Sequence, residues 1–130
     1  MSDTHADRRE PFTPDAPLDL VSAGDGLLDE ARSMASGRAA KTLTPGAHGP
    51  LMQTLVALRA GVQLDAHVAN GPATIQLLRG SATLNSEERT VELRSGQWAP
   101  IPAARHDLRA DDDTIALITV APTAPAPGRE

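Results

Sequence analysis

The stretch LDAHVANGPATIQLLRG, residues 64–80, places one histidine, His67, ahead of a glycine–proline turn and an aliphatic run that ends at Gly80. A short apolar run bounded by glycine and proline is typical of a β-strand. A histidine at the head of such a strand is either half of a metal site or an ordinary residue of a sheet. The remaining sequence has to show whether anything completes a site around His67.

The composition indicates a small domain with an aliphatic core. The chain has 130 residues, which favours a single domain. Hydrophobic residues make up 40% of it but aromatic residues only 2%, namely Phe12 and Trp98, so Val, Leu, Ile and Ala must fill the core. The absence of cysteine excludes disulfides, thiolate zinc sites, iron–sulfur clusters and a cysteine nucleophile. We expect Trp98 to lie in the core or at a dimer contact.

The charge pattern argues against nucleic acid and membrane partners. The net charge is −5, and the arginines are spread along the chain without forming a basic stripe. No apolar stretch approaches the ~20 residues that span a bilayer. The first residues also lack the apolar segment of a secretory signal. These features predict a cytoplasmic protein.

The ends of the chain differ in amino-acid composition from its middle. Residues 1–23 are polar and rich in proline, and we predict a disordered leader there. Residues 24–37, GDGLLDEARSMASG, have apolar residues spaced for one face of a helix, with Asp25 as the expected N-cap and Gly37 as the stop. Residues 122–130 are rich in Pro and Ala and predict a flexible tail.

Residues 38–121 consist of short apolar runs separated by Gly, Pro and Asn. Some of these runs alternate between apolar and polar residues, as in TVELR at residues 90–94. Many short strands with regular turn signals predict a β-sandwich or β-barrel. The acidic triplet at residues 111–113 is expected to be a solvated turn between two strands.

Two motifs in this region resemble those of the cupin superfamily. Gly61, five residues, His67 and the strand ending at Gly80 resemble the first motif, and Gly96, five residues, Pro102 and then His106 resemble the second. The resemblance covers residues 38–121, about two thirds of the chain. It implies an all-β fold, a small jelly-roll cupin β-barrel with a short N-terminal helix and disordered termini.

The resemblance also implies where a metal would bind. Metal-binding cupins use two histidines and a glutamate from the first motif and a histidine from the second. Here His67 matches the first histidine and His106 matches the last, although one residue early, whereas Ala69 and Ala73 occupy the other two positions. A divalent Fe, Mn, Ni or Zn ion held by His67 and His106 is therefore one hypothesis. Two histidines that only hydrogen-bond to the backbone at the barrel rim are the alternative.

Two glutamines are candidates for an additional ligand-binding side chain. Gln76 lies within an apolar strand and, with His67 and His106, forms the predicted ligand-binding set. Strand alternation places Gln76 on the face opposite to Ala73, unless a bulge near residues 71–72 reverses it. Gln53 is the second candidate.

Three functions remain open at the level of sequence, because one fold hosts many chemistries. The first is a cupin protein with a degenerate metal site that binds or senses a small molecule. The second is a metal-dependent enzyme, dioxygenase-like or isomerase-like, that uses His67 and His106. The third is a structural or stress-related dimer without a ligand. We expect a homodimer with contacts from the 38–60 strands and the 25–36 helix, since a small aliphatic barrel gains stability from a partner.

Overall fold

The computed structural model describes residues 17–44, 50–67 and 71–123. Within these ranges the chain forms one helix followed by nine strands. The helix is α1 (Leu20–Ser33). The strands are β1 (Arg38–Thr44), β2 (Met52–Leu58), β3 (Gln63–His67), β4 (Ala73–Arg79), β5 (Ser81–Ser86), β6 (Thr90–Arg94), β7 (Trp98–Ile101), β8 (His106–Ala110) and β9 (Thr114–Val120). In this part of the chain no helix is long and apolar enough to cross a membrane.

The strands form two antiparallel sheets that enclose an aliphatic core. The five-stranded sheet has the order β1-β2-β9-β4-β7, and the four-stranded sheet has the order β3-β8-β5-β6. The core between them is built from Val, Leu, Ile and Ala side chains, among them Ile75, Leu77, Leu84, Leu93, Leu108 and Ala116. The predicted all-β jelly-roll with an N-terminal helix is confirmed. Trp98 does not contribute to this core, because 59% of its surface is exposed.

The helix begins earlier and ends earlier than its apolar spacing predicts. Its N-cap is Asp19, whose Oδ1 accepts hydrogen bonds from the backbone N–H groups of Val21 and Ser22, each at 3.1 Å. The predicted N-cap, Asp25, lies inside the helix, where its carboxylate binds Arg79. The prediction that residues 20–23 belong to the leader is therefore wrong. Of the remaining residues predicted to be disordered, 1–16 and 124–130 lie outside the described residues.

The helix covers part of the outer face of the five-stranded sheet. Buried side chains of α1 pack against buried side chains of β1, β2 and β9, and these residues are Leu27, Leu28, Ala31, Ala39, Leu55, Ala57 and Ile115. The helix and the 38–60 strands thus bury much of their apolar surface against each other. The homodimer contact that we expected through these segments stays a prediction.

Candidate functional site

The two predicted histidines lie on neighbouring strands of the four-stranded sheet. His67 in β3 is the register partner of His106 in β8. Between the pair Leu64–Leu108 and the pair His67–His106 the register shifts, because β3 has one more residue than β8 over this interval. Opposed residues of antiparallel strands have Cα atoms about 4.5–5.5 Å apart. The fold therefore brings these positions together from 39 residues apart in sequence.

His106 is a buried side chain with a defined hydrogen bond. It is 4% exposed and lies on the same face of β8 as the core residues Leu108 and Ala110. Its Nδ1 lies 3.0 Å from the carbonyl oxygen of Ala104. Because a carbonyl can only accept, Nδ1 carries the hydrogen of this bond, and in the neutral ring Nε2 carries the lone pair. The backbone thus fixes the tautomer and the orientation of the imidazole.

An open cleft of about 240 Å³ adjoins His106 at the end of β5 and the start of β8. Its lining residues are Asn85, Ser86, Glu87, Arg105, His106 and Asp107. Two of the polar side chains are engaged in the local structure: Asn85 Nδ2 donates to Asp107 Oδ1 at 3.2 Å, and Ser86 Oγ accepts from the backbone N–H groups of Glu88 and Arg89. Arg105 is exposed and has no ion-pair partner among the described residues.

Half of this lining is not apparent from the sequence. Arg105 and Asp107 flank the second-motif histidine, so their proximity to it follows from the chain itself. The residues from β5 carry no such signal. Ser86 reaches the cleft because β5 pairs with β8 and Ser86 is the register partner of His106.

The structure separates both glutamines from the histidines. Gln76 is exposed on β4, whereas Ala73, Ile75 and Leu77 are buried. The register of β4 with β9 is regular from Ala73 to Leu77, so alternation is preserved and Gln76 lies on the outer face. Gln53 donates from Nε2 to Thr119 Oγ1 at 3.3 Å and shares its face of β2 with residues that pack against α1. Neither amide reaches the cleft at His106.

The side chains at the cupin ligand positions do not fit the metal centre of that family. Ala73 occupies the position of the glutamate and is 8% exposed. Its side chain is a methyl group, which has no atom that could bind a metal. Ala69, at the position of the second histidine, lies outside the described residues. In the described part of the chain no three His, Asp or Glu side chains are grouped so that they could hold a metal ion. His67 and His106 are the two matching positions that remain.

The acidic triplet at residues 111–113 connects the helix, the segment between β2 and β3, and β5. Asp111 accepts from Thr83 Oγ1 at 2.7 Å, and Asp112 accepts from Ser81 Oγ at 2.9 Å. Asp113 accepts from the backbone N–H of Ala60 at 2.8 Å and from Arg32. The Ala60 hydrogen bond, followed by the Arg32 guanidinium, lowers the pKa of Asp113 below its ordinary value. The three carboxylates thus bind different partners and do not converge on one cation.

Two antiparallel sheets that enclose an aliphatic core define a jelly-roll β-barrel, the fold of cupins. No protein-family model and no curated protein matches the chain. Solved structures do match. A conserved protein of unknown function from Streptococcus pyogenes is similar over 89% of this chain and 95% of its own, with a TM-score of 0.71 and 22% identity. A cupin superfamily protein from Desulfitobacterium hafniense is similar over 89% and 99%, with a TM-score of 0.70 and 14% identity.

A third similar structure is an enzyme. Salicylate 1,2-dioxygenase from Pseudoaminobacter salicylatoxidans, in complex with gentisate, matches 77% of this chain with a TM-score of 0.65 and 21% identity. The match covers 32% of the dioxygenase chain. Proteins of this fold thus include an enzyme and a protein of unknown function, and at these identities the likeness establishes the fold alone.

Proposed function

We propose that the chain binds or senses a small molecule in the cleft at His106, without the three-histidine, one-carboxylate metal centre of metal-binding cupins. The observation that carries this proposal is the buried imidazole of His106, held in one orientation by Ala104 and adjoining an open cleft. A rigid donor or acceptor beside a concave surface fixes the orientation of a ligand at little entropic cost.

The size and chemistry of the cleft limit the ligand. Its volume of about 240 Å³ is below the ~300–1,000 Å³ of sites for drug-sized molecules, which favours a ligand of few heavy atoms. The guanidinium of Arg105 offers hydrogen-bond donors suited to a carboxylate or a hydroxyl group. Glu87 and Asp107 on the same lining disfavour a multiply charged anion. A small organic acid or polar neutral molecule fits this balance.

A metal-dependent enzyme is the second candidate, favoured by the register pairing of His67 with His106. In this alternative the two imidazoles are ligands of a divalent ion, and other donors complete its coordination. Dioxygenase or isomerase chemistry would then follow, as in the dioxygenase of similar fold. The alkyl side chain of Ala73 counts against this candidate, because it removes the carboxylate that anchors harder ions.

One experiment on the full-length, untagged protein separates these candidates. Metal content is measured by elemental analysis, and the imidazole carbon signals of the four histidines are followed by NMR, with His106 assigned from a His106→Gln variant. The titrants are small organic acids including gentisate, amino acids and polyols. We expect little bound metal and a saturable shift of the His106 signal with at least one titrant.

Matched arginine variants test the position of the ligand. Arg105→Ala is expected to weaken binding at least about fivefold, in line with the loss of a charge-assisted hydrogen bond. Arg94→Ala removes an exposed arginine away from the cleft and is expected to leave binding unchanged. Near-stoichiometric metal that disappears in a His67→Ala, His106→Ala double variant would support the enzyme instead. An unmoved His106 signal throughout the panel would contradict the binding proposal.

A further inference from the structure

The cleft at His106 is lined by charges of both signs. Glu87 follows the end of β5, and Arg105 precedes the start of β8. The pairing of Ser86 with His106 brings these two strand ends together, and Asp107 lies one position further along β8. The lining thus carries one guanidinium and two carboxylates.

These charges do not neutralise one another by direct contact. Within the described part of the chain, none of the three side chains takes part in an ion pair. Arg32, Arg79 and Arg109, by contrast, each contact a carboxylate. Opposite charges that line one cleft without contacting each other leave their hydrogen-bonding groups to a ligand.

Two hydrogen bonds orient the carboxylate of Asp107. Thr90 Oγ1 donates to Asn85 Oδ1 at 3.0 Å, and this bond fixes which end of the Asn85 amide is the donor. The Nδ2 group of the same amide then donates to Asp107 Oδ1 at 3.2 Å. The second oxygen of Asp107, Oδ2, accepts no hydrogen bond from the residues that the structure describes. The fold therefore leaves one oxygen of an oriented carboxylate to a ligand, which lowers the entropic cost of binding.

The balance of charges selects among small ligands. A carboxylic acid without a cationic group can pair with Arg105, but Glu87 and Asp107 repel it. An amine without an anionic group leaves the guanidinium without a partner. A zwitterion satisfies both signs, because its carboxylate accepts hydrogen bonds from Arg105 and its ammonium donates to the two carboxylates. The cleft volume of about 240 Å³ accommodates a free amino acid.

We infer that the cleft takes a small zwitterion of the α-amino acid type, with its carboxylate on Arg105 and its ammonium on Asp107 and Glu87. This inference rests on the proposed function, which it narrows from small polar molecules in general to one charge pattern. It gives Glu87 and Asp107 the selection of the ammonium group.

Ligands of matched size test the charge pattern. The full-length, untagged protein is titrated with L-alanine, L-serine and L-leucine, with the 2-hydroxy acid of each carbon skeleton, and with the amide of each amino acid. The hydroxy acid lacks the ammonium and the amide lacks the carboxylate, while the number of heavy atoms stays the same. Calorimetry gives each dissociation constant, and the imidazole signal of His106 shows whether the ligand lies at the cleft. We expect at least one amino acid to bind at least about tenfold more tightly than its hydroxy acid and its amide.

Matched variants test the two carboxylates. Glu87→Gln removes a lining carboxylate from the exposed turn between β5 and β6, and Glu88→Gln makes the same change at the neighbouring exposed residue, which does not line the cleft. Asp107→Asn removes the second lining carboxylate. We expect Glu87→Gln and Asp107→Asn each to reduce the preference for the amino acid over its hydroxy acid at least about threefold, and Glu88→Gln to leave it unchanged. Because a general loss of structure weakens both ligands alike, this preference reports the ammonium contact alone.

Three outcomes would overturn the inference. The first is a hydroxy acid or an amide that binds as tightly as its amino acid. The second is a preference for the amino acid that neither Glu87→Gln nor Asp107→Asn reduces. The third is a protein that binds none of these ligands while gentisate or a polyol shifts the His106 signal, which would leave the proposed function standing. If no titrant shifts that signal, the proposed function fails together with the inference.

Discussion

Arg32 in α1 binds one oxygen of the Asp113 carboxylate through two nitrogens: Nε lies 2.9 Å and Nη2 lies 2.8 Å from Oδ2. The other oxygen, Oδ1, accepts the backbone N–H of Ala60 at 2.8 Å. One carboxylate in the turn before β9 therefore connects the helix to the segment that precedes β3. These bonds lower the pKa of Asp113 and raise that of Arg32.

The connection through Asp113 predicts a stability that depends on pH. The pKa of Asp113 is lower in the folded state than its ordinary value of 3.8. The ionised carboxylate therefore stabilises the fold at pH values above 3.8, and this stabilisation is lost as the pH falls through the pKa of the folded state. Asp113→Asn is expected to lower the free energy of unfolding by about 1 kcal/mol near neutral pH, a figure that allows for partial solvent screening. Urea denaturation of both proteins from about pH 7 to about pH 3 measures the difference, which is expected to shrink with acid. Asp29→Asn, which removes an exposed partner of Arg32, serves as control; an equal effect would contradict the prediction.

The close approach of α1 to the sheet predicts opposite effects at two glycines. A Cβ at Gly24 would overlap the Cγ2 atom of the buried Ile115, whereas a Cβ at Gly26 would meet nothing within 4 Å. Alanine is favoured over glycine in helices by up to about 1 kcal/mol, so Gly26→Ala is expected to stabilise the protein. Gly24→Ala is expected to destabilise it by about 1 kcal/mol, because overpacking outweighs the helix propensity. Thermal unfolding of both variants shows whether each change raises or lowers the stability. Stabilisation by Gly24→Ala would contradict the prediction, because it would show that the helix can move away from Ile115 without cost.

The N-cap of α1 predicts that Asp19 contributes more to the stability of the protein than Asp25 does. Asp19→Ala removes the acceptor for two backbone N–H groups and is expected to cost about 1 kcal/mol. Asp25→Ala breaks an exposed ion pair with Arg79 and is expected to cost less than about 0.5 kcal/mol. Chemical denaturation of the two variants compares them. A larger loss for Asp25→Ala would place the start of the helix near the position expected from the apolar spacing.

The methyl group of Ala73 predicts how the protein responds to metal. Wild-type protein is expected to show no shift of its melting temperature with Zn²⁺ or Mn²⁺. Ala73→Glu places a carboxylate at an 8% exposed position and is expected to lower the stability of the metal-free protein by at least about 2 kcal/mol. Added Mn²⁺ is expected to recover part of this loss by binding the carboxylate.

Ala73→Gln is the control for Ala73→Glu, because glutamine has nearly the same size as glutamate but carries no charge. Recovery by metal in the glutamine variant, or an equal melting shift in the wild type, would contradict the role assigned to Ala73.

The features predicted correctly are those carried by local chemistry. Gly80 and Gly96, which mark the two motifs, have φ angles of +92° and +86°, a region that other residues rarely adopt. At Gly80 any side chain would also overlap the carbonyl of Asp113. The alternation in β4 correctly predicted that Gln76 faces away from Ala73. The N-cap of α1 was missed, because Asp19 and Asp25 are both acceptable caps and the choice depends on where the helix meets the sheet.

The candidate site also combines features that the sequence determines with features that only the fold determines. From His67 and His106 together with Ala73, the chain alone indicates a cupin fold in which a metal centre is incomplete, since motif spacing and residue type are properties of the sequence. Ser86 beside His106, and Trp98 beside Gln76, result from the pairing of strands far apart in sequence. Such pairings depend on the packing of the whole core, and no local pattern encodes them. For this reason the cleft becomes visible only in the folded chain.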